Sequence, residues 1–184
     1  MNPLAASGPV LAWRLDQAKF AASWNDGEGA FRVGGRWNSP GVRAVYCSLD
    51  PSTAILEVAA HKGFRALDAV AHVLTAAAIA RRNDVYAVEP AAVPDPIWLT
   101  PGIPSAGQQA FGDALLGKHR FIIVPSAVSR HSWNLIFVAG DAGAYRLHLQ
   151  EPFALDTRLN PTRDPIWRPQ AADSRPATKR RLKP

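Results

Sequence analysis

The sequence predicts a single α+β domain with a mixed or largely antiparallel sheet and flanking helices. Predicted strands outnumber predicted helices, and the last four strands follow one another closely enough to be linked as hairpins. The chain has 184 residues, of which 47% are hydrophobic, so it can bury one sizeable core. No internal repeat is visible in the sequence. One domain built around one core is therefore expected.

The first forty residues combine a strand, a short helical turn and a glycine-rich loop. Residues 10–15 (VLAWRL) have the composition of a strand, and residues 17–23 predict a helical turn that carries Phe20 inward. Residues 25–41 are expected to form a long loop, because they contain a proline and glycines at positions 27, 29, 34, 35 and 41. Loops of this length inside a compact domain are commonly functional or disordered.

The next segment predicts a strand followed by a helix. Residues 43–48 (RAVYCS) are short and rich in β-branched and aromatic types, which is typical of a strand. Asp50 can cap the free amide groups of a helix, and Pro51 suits its first position. We expect this helix to run to about Lys62 and to stop at Gly63.

The remainder of the chain predicts mostly strands. A proline-rich connection over residues 89–104 cannot be regular, and residues 105–116 predict a helix after it. Strands are predicted over residues 69–77, 85–88, 120–125, 133–138, 144–150 and 153–159.

The positive charge lies almost entirely in a C-terminal tail. The formal net charge is +6, and residues 160–184 contribute +5 of it, from seven Lys and Arg against two Asp. The sequence therefore divides into an N-terminal extension (1–10), a nearly neutral domain (11–159) and a basic tail rich in Pro, Arg and Lys (160–184). A solvated tail is the favoured interpretation, and a weak contact with RNA, DNA or an acidic partner stays open.

Several classes of protein are disfavoured by the sequence. The single cysteine, Cys47, cannot form an internal disulfide, and there is no CxxC motif or His/Cys cluster to suggest a zinc site. The N-terminus lacks the pattern of a secretory signal, and the longest mostly apolar segment, residues 69–80, is too short to span a bilayer. We therefore expect a soluble cytoplasmic protein without a metal and without a membrane contact.

The glycine-rich loop is the segment most suggestive of a ligand site. Its glycines would let the backbone approach a ligand closely, and Arg32, Arg36 and Arg43 supply positive charge beside it. The loop is neither a Walker motif nor a Rossmann GxGxxG turn. From residue types alone, an anionic ligand such as a nucleotide is as far as the prediction goes.

The order of several sequence blocks is more specific. GGRWNSPG, AVYCS, STAILEVAAH, FIIVPSAVSRHSWNL and FALDTRL follow one another, and together they resemble the RES domain of toxins in bacterial toxin–antitoxin pairs. The resemblance covers residues 11–159. It implies a fold and a site similar to those of ADP-ribosyltransferases, with NAD⁺ as the substrate and no prosthetic group.

The resemblance also assigns residues. It implies catalytic roles for Arg36 in GGRWN, Tyr46 in VYCS, Glu57 in ILEV and Ser126 in VPSAV. Arg14 in WRL and Asn134 in WNL match further substrate-binding positions of the family, and Trp37 is expected to line the pocket beside Arg36. The stretch WNLIFVAGDAG departs from the family, which commonly has a second asparagine followed by proline there. The shape of that flanking loop is therefore not carried over.

These residue types suit cleavage of the nicotinamide–ribose bond. Breaking that bond builds positive, oxocarbenium-like charge on the sugar, which the Glu57 carboxylate would stabilise. Arg36 and Arg14 would hold the pyrophosphate through forked hydrogen bonds, and Tyr46 offers a flat face to the nicotinamide ring. Ser126 would hydrogen-bond either the carboxamide or a ribose hydroxyl.

Taken singly, each residue has an ordinary interpretation. Glu57 alone would be a solvated carboxylate paired with His61 one helical turn later. Arg36 would be a surface charge, Tyr46 a core aromatic, and Ser126 the start of a turn. Cys47 should point to the opposite side of the sheet from Tyr46, which favours a buried, inert thiol.

Three functions follow as hypotheses. The first is a toxin that depletes NAD⁺, as a glycohydrolase or a phosphorylase. The second is a mono-ADP-ribosyltransferase that modifies a cellular protein, and the third is a non-catalytic module that binds nucleic acid through the basic tail. The resemblance implies an Xre- or MbcA/ParS-type helix-turn-helix antitoxin as partner in a hetero-oligomer, with DNA contacted through that partner rather than through this chain.

Overall fold

A computed structural model describes residues 3–4, 8–100, 102 and 104–156 of the chain. The chain divides into two units, Met1–Ala154 and Leu155–Pro184, and the first contains every helix and strand given below. The predicted basic tail (160–184) lies outside the described residues, as do residues 157–159 of the predicted last strand. Within the described residues, no helix has the length and apolar character needed to cross a bilayer.

The α+β prediction is confirmed by a single sheet of seven mostly antiparallel strands. The spatial order is β4-β5-β6-β2-β1-β3-β7, and only β4 and β5 pair in parallel. The strands are β1 (Leu11–Gln17), β2 (Ala44–Ser48), β3 (His72–Ile79), β4 (Val85–Ala87), β5 (Phe121–Pro125), β6 (Trp133–Val138) and β7 (Tyr145–Phe153).

In the part of the chain that the structure describes, four α-helices flank this sheet: α1 (Glu28–Val33), α2 (Pro51–Lys62), α3 (Phe64–Ala69) and α4 (Ala106–Leu116). Short 3₁₀ segments cover Ala18–Ser23, Arg82–Asp84 and Pro90–Ala92.

Helix α2 begins and ends where the sequence predicts. The Asp50 carboxylate accepts hydrogen bonds from the Thr53 amide (2.8 Å) and the Thr53 hydroxyl (2.7 Å), and Pro51 occupies the first turn. Gly63 then ends the helix with a positive φ of 77°. Both boundary signals act within a few residues of the chain, which is why they can be recognised locally.

Several local predictions are wrong. Phe20 lies in a short helical segment as expected but is 49% exposed; that segment contacts β1 and β3, and none of its residues is buried. Residues 25–41 are not one loop, since α1 forms inside them and residues 35 and 38 form a β-bridge. The predicted strand 69–77 begins only at His72, after α3.

The hairpin prediction also fails at the last strand. Strands β5 and β6 do form an antiparallel pair, but β7 crosses the sheet to pair with β3 at the opposite edge. Strand β3 is buried along nearly its whole length and has a free edge that β7 covers. The predicted strands 144–150 and 153–159 are one continuous strand as far as Phe153, with pairing maintained through Pro152.

Side chains alternate along each strand and so divide between the two faces of the sheet, and both faces are buried. The Cys47 face buries Ala12, Val45, Cys47, Leu135 and Phe137, and Trp24 packs against it. The Tyr46 face carries Ala44, Tyr46, Ile122, Val124 and Ile136, and is covered by Trp37, Trp98 and Leu116 of α4. Helix α2 also lies on the Tyr46 face, since Glu57 bonds to the Asn134 side chain there.

Strands β1 and β2 pair at only one position, where Trp13 lies opposite Ser48. The sheet therefore opens between two halves, β4-β5-β6-β2 and β1-β3-β7. Arg14 spans this opening, with Nη1 donating to the Tyr46 carbonyl at 2.8 Å. Arg14 thereby provides a partner for one β2 carbonyl that has no ladder hydrogen bond to β1.

Helix α4 packs very closely on the backbone of Trp37. A Cβ atom added to Gly112 would lie 2.1 Å from the Trp37 carbonyl oxygen, whereas one added to Gly107 would meet nothing nearer than 4.0 Å. We expect Gly112→Ala to lower the free energy of unfolding by about 2–3 kcal/mol through overpacking. Gly107→Ala should leave it unchanged or raise it by up to about 1 kcal/mol, since alanine is the better helix former. Urea unfolding compares the two variants, and equal effects would contradict this packing.

The Cys47 thiol is buried on the face opposite Tyr46, as predicted. Burial raises its pKa to about 12, so at pH 8 only about one thiol in ten thousand is ionised. We expect no reaction with a thiol reagent such as dithionitrobenzoate in the native protein at pH 8, and one equivalent after unfolding in guanidinium. Rapid modification of the native protein would show that the thiol is accessible.

Candidate active site

Glu57 lies on α2, and its carboxylate is held through one of its two oxygens. Oε1 accepts hydrogen bonds from Asn134 Nδ2 at 2.5 Å and from Ser126 Oγ at 2.9 Å. The carboxylate is half-buried, and it bonds across the fold rather than to the exposed His61 of its own helix. Oε2 forms no hydrogen bond with any residue that the structure describes. One oxygen is thus fixed and the other is available to a ligand.

Ser126 has its single proton directed at Glu57. The side chain is fully buried, and Oγ accepts hydrogen bonds from the amides of Val128 and Ser129, both at 3.2 Å. Because those two amides can only donate, the hydroxyl proton is left for Glu57. The predicted turn at Ser126 therefore orients the hydroxyl that donates a hydrogen bond to the Glu57 carboxylate. A contact between Ser126 and the nicotinamide carboxamide or a ribose hydroxyl stays a prediction.

Asn134 is brought to Glu57 by β6, together with a serine that the sequence analysis did not single out. Asn134 lies directly opposite Ser48 of β2, and Ser48 Oγ donates to Asn134 Oδ1 at 2.9 Å. Ser48 follows Tyr46 by two residues, so strand alternation alone places both on one face. Applied to AVYCS, that alternation would have identified Ser48 as a neighbour of the site.

Tyr46 organises the turn that carries Arg36. Its hydroxyl donates to Asn38 Oδ1 at 2.7 Å and accepts from the Trp37 amide at 3.0 Å. Burial raises the pKa of Tyr46 well above its ordinary value, so the phenol stays neutral. The ring is half-buried, and its predicted contact with nicotinamide stays a prediction.

Asn38 is fully buried and completes this arrangement. Its Nδ2 lies within hydrogen-bond distance of the carbonyls of Ser39 (2.9 Å), Ala30 (3.2 Å) and Val42 (3.2 Å). Since its Oδ1 accepts from Tyr46, both ends of the amide are used. The side chain therefore joins the start of β2 to the turn over residues 35–38.

The glycines of this segment meet packing requirements. A Cβ at Gly35 would lie 2.5 Å from the Tyr46 hydroxyl oxygen, and one at Gly27, whose φ is +64°, would lie 2.5 Å from the Arg43 carbonyl oxygen. The sequence predicts that these glycines allow a ligand to approach. The structure shows that at these two positions they allow the protein's own atoms to approach.

Arg36 is half-buried and is anchored by the proline-rich connection. Nη1 donates to the carbonyls of Trp98 (2.6 Å) and Thr100 (3.3 Å). Its other N–H groups make no hydrogen bond with the described residues, so they remain available to an anion. Trp37 is only 2% exposed and packs edge-on against Trp98 with ring centroids 5.4 Å apart. The Trp37 ring therefore belongs to the core, and its predicted role in substrate binding stays a prediction.

Arg14 and Glu57 lie on opposite faces of the sheet. Trp13 shares a face with Ser48, so Arg14 leaves β1 on the Cys47 face. Its guanidinium forms a two-point ion pair with Asp16 (2.7 and 2.8 Å) in addition to the bond to the Tyr46 carbonyl. Burial opposes its charge, but the ion pair with Asp16, together with smaller contributions from neighbouring acidic groups, outweighs that effect and raises the pKa of Arg14. A role toward substrate stays a prediction for this residue.

The structure thus brings Tyr46, Glu57, Ser126 and Asn134 onto one face of the sheet, with Arg36 beyond Tyr46. Two surface cavities, of about 320 and 580 Å³, adjoin Tyr145 and contain none of these residues. The described residues contain no group of three or more His, Cys, Asp or Glu side chains placed to bind a metal ion. The arrangement offers one carboxylate oxygen and a partly free guanidinium on the same side of the sheet.

Comparison with known proteins relates this geometry to a family. The model of the RES domain family matches residues 11–157 of the chain. Among solved structures, a chain of the M. tuberculosis MbcT-MbcA toxin-antitoxin complex matches with a TM-score of 0.56 and 21% sequence identity. That match covers 79% of this chain and 85% of the other. No curated protein has significant sequence similarity to this chain.

The hydroxyl of Tyr46 gives a test of the turn geometry. Tyr46→Phe leaves the Trp37 amide without its acceptor and Asn38 Oδ1 without its donor, so we expect the free energy of unfolding to fall by about 1–3 kcal/mol. Tyr86→Phe is the matched control, because Tyr86 is 39% exposed and stacks on His119 through its ring. Urea unfolding measures the free energy of unfolding of both variants. Equal values for Tyr46→Phe and Tyr86→Phe would show that the Tyr46 hydroxyl does not stabilise the turn.

Proposed function

This chain belongs to the RES domain family, and from that premise we propose that it is the toxin of a toxin–antitoxin pair and that it cleaves the nicotinamide–ribose bond of NAD⁺. The observation that carries the proposal is the Glu57 carboxylate, which is fixed through Oε1 by Ser126 and Asn134 while Oε2 remains available. The likeness of the fold to a chain of the MbcT-MbcA toxin-antitoxin complex supports the toxin assignment.

In the proposed reaction, the bond between ribose C1′ and the nicotinamide nitrogen breaks, and nicotinamide leaves with the bonding electron pair. Positive charge then develops on the sugar, and a carboxylate held beside C1′ stabilises it. Glu57 is suited to this because its position is fixed before substrate binds, so little reorganisation is needed as the charge develops. Oε2 is the oxygen that would face the sugar.

Arg36 would bind the pyrophosphate of NAD⁺. A guanidinium with N–H groups to spare can hold two phosphate oxygens at once, and the carbonyls of Trp98 and Thr100 fix its orientation. The Tyr46 hydroxyl accepts a hydrogen bond from the amide of Trp37, the residue that follows Arg36 in the chain. The Tyr46 ring would face the nicotinamide. Arg14 would have to act from the Cys47 face, across the opening between β1 and β2.

The acceptor of the ADP-ribosyl group can be water, phosphate or a protein side chain. With water, the products are ADP-ribose, nicotinamide and a proton; with phosphate, the ADP-ribose carries the phosphate at C1′. With a protein acceptor, a covalent adduct remains. Mass spectrometry of the products, with and without phosphate and cell extract, distinguishes the three.

An antitoxin of the helix-turn-helix class is the proposed partner. A toxin that consumes NAD⁺ in the cytoplasm must be restrained by a second protein, and the MbcT-MbcA complex provides a solved toxin-antitoxin assembly of similar fold. We expect growth arrest when this chain is expressed alone in bacteria. Co-expression of a small helix-turn-helix protein encoded next to it should restore growth and yield a hetero-oligomer.

Glu57→Gln tests the chemistry, because it keeps the shape of the side chain and removes its charge. We expect nicotinamide release from NAD⁺, followed by chromatography, to fall by at least about 10²-fold. His61→Gln, on the exposed surface one turn further along α2, is the control and should retain full activity. Thermal melts should show both variants folded. An active Glu57→Gln variant would exclude the carboxylate from the mechanism, and an inactive wild-type protein would refute NAD⁺ cleavage.

A further inference from the structure

Ser48 is a buried hydroxyl beside the site for which the sequence analysis gave no role. It is 2% exposed, it lies at the single position where β1 pairs with β2, and its Oγ donates to Asn134 Oδ1 at 2.9 Å. Buried hydroxyls are retained where they form hydrogen bonds, and this one has a specific partner. That partner in turn bonds to Glu57.

The donors on both sides of Glu57 point toward the same oxygen. Ser48 donates to Asn134, and Asn134 donates to Glu57 Oε1. From the other side, the amides of Val128 and Ser129 bond to Ser126, which also donates to Oε1. Hydrogen bonds aligned in this way polarise and strengthen one another. Oε1 is thereby occupied from two sides.

From this geometry we propose that Ser48 is a positioning residue, which holds the Asn134 amide so that Glu57 presents Oε2 to the reacting sugar. With the amide reversed, Asn134 Oδ1 would face the Glu57 carboxylate, and two acceptors cannot bond to each other. With Ser48 absent, Oδ1 would lose its buried donor and the amide would be free to rotate away from Oε1. The catalytic consequence of this positioning rests on the proposed function; the hydrogen bonding does not.

The kinetic test compares Ser48→Ala with Ser23→Ala. Ser23 also donates a side-chain hydrogen bond, to the Phe20 carbonyl, but it lies in the 3₁₀ segment over Ala18–Ser23, and no hydrogen bond among the described residues connects it to Glu57. We expect Ser48→Ala to lower kcat for nicotinamide release from NAD⁺ about tenfold, with KM changed less than about twofold, since orientation of the carboxylate matters most in the transition state. Ser23→Ala should leave both constants unchanged.

A second pair of variants keeps the test valid if Ser48→Ala does not fold. Ser48→Thr retains the hydroxyl and Ser48→Val has the same shape without it, and both residue types suit a strand. We expect kcat of the threonine variant to exceed that of the valine variant about tenfold. Equal kcat values for the two variants would overturn the proposal.

A spectroscopic measurement separates this proposal from the proposed function. The side-chain amide of Asn134 can be assigned in a ¹H–¹⁵N spectrum by its loss in Asn134→Asp. We expect one of its protons to resonate at unusually low field because of the short bond to Glu57, and to move toward the position of a free amide in Ser48→Ala but not in Ser23→Ala. An unchanged signal in Ser48→Ala would overturn the proposal whatever the activity. A shifted signal in a protein that does not cleave NAD⁺ would uphold the positioning and refute only the proposed function.

Discussion

The antiparallel register between β2 and β6 determines the site. It places Ser48 opposite Asn134 and Tyr46 opposite Ile136, so that the polar side chains of both strands share the face covered by α2 and α4. Because side chains alternate with a period of two, a slip by one residue would turn Asn134 toward the Cys47 face. Glu57 would then lose its shortest hydrogen bond. The buried apolar side chains of both faces hold this register, since the same slip would exchange side chains between two faces that are each packed against different partners.

Two buried polar clusters then connect this register to the chemistry. In one, Asn134 and Ser126 donate to Glu57 Oε1, and Ser48 donates to Asn134. In the other, the Tyr46 hydroxyl and Asn38 fix the turn that carries Arg36. Both belong to the Tyr46 face of β2. An anionic carboxylate and a cationic guanidinium are thus held by neighbouring residues of one strand, which limits how far either can move relative to the other.

The residues expected to bind substrate divide into different structural roles. Arg36 keeps N–H groups free of the described residues, whereas the Trp37 ring is packed in the core and Arg14 bridges the opening between β1 and β2. Arg14 thereby holds the carbonyl of Tyr46 while the Tyr46 side chain points the other way. Residues that are neighbours in a family motif need not share one physical task.

The sequence by itself determined whatever depends on nearby residues. Helix α2 follows from Asp50, Pro51 and Gly63, and the burial of Cys47 follows from its place next to Tyr46 in a strand. The resemblance in block order supplied the identity of the site residues, but a lone carboxylate on a helix gave no indication of its partners. Only the tertiary structure placed β7 against β3 and joined Glu57 to Ser126 and Asn134, which lie 69 and 77 residues away in the chain. Periodicity specifies which face of a strand is buried, whereas strand order and long-range hydrogen bonds depend on the packing of the whole sheet.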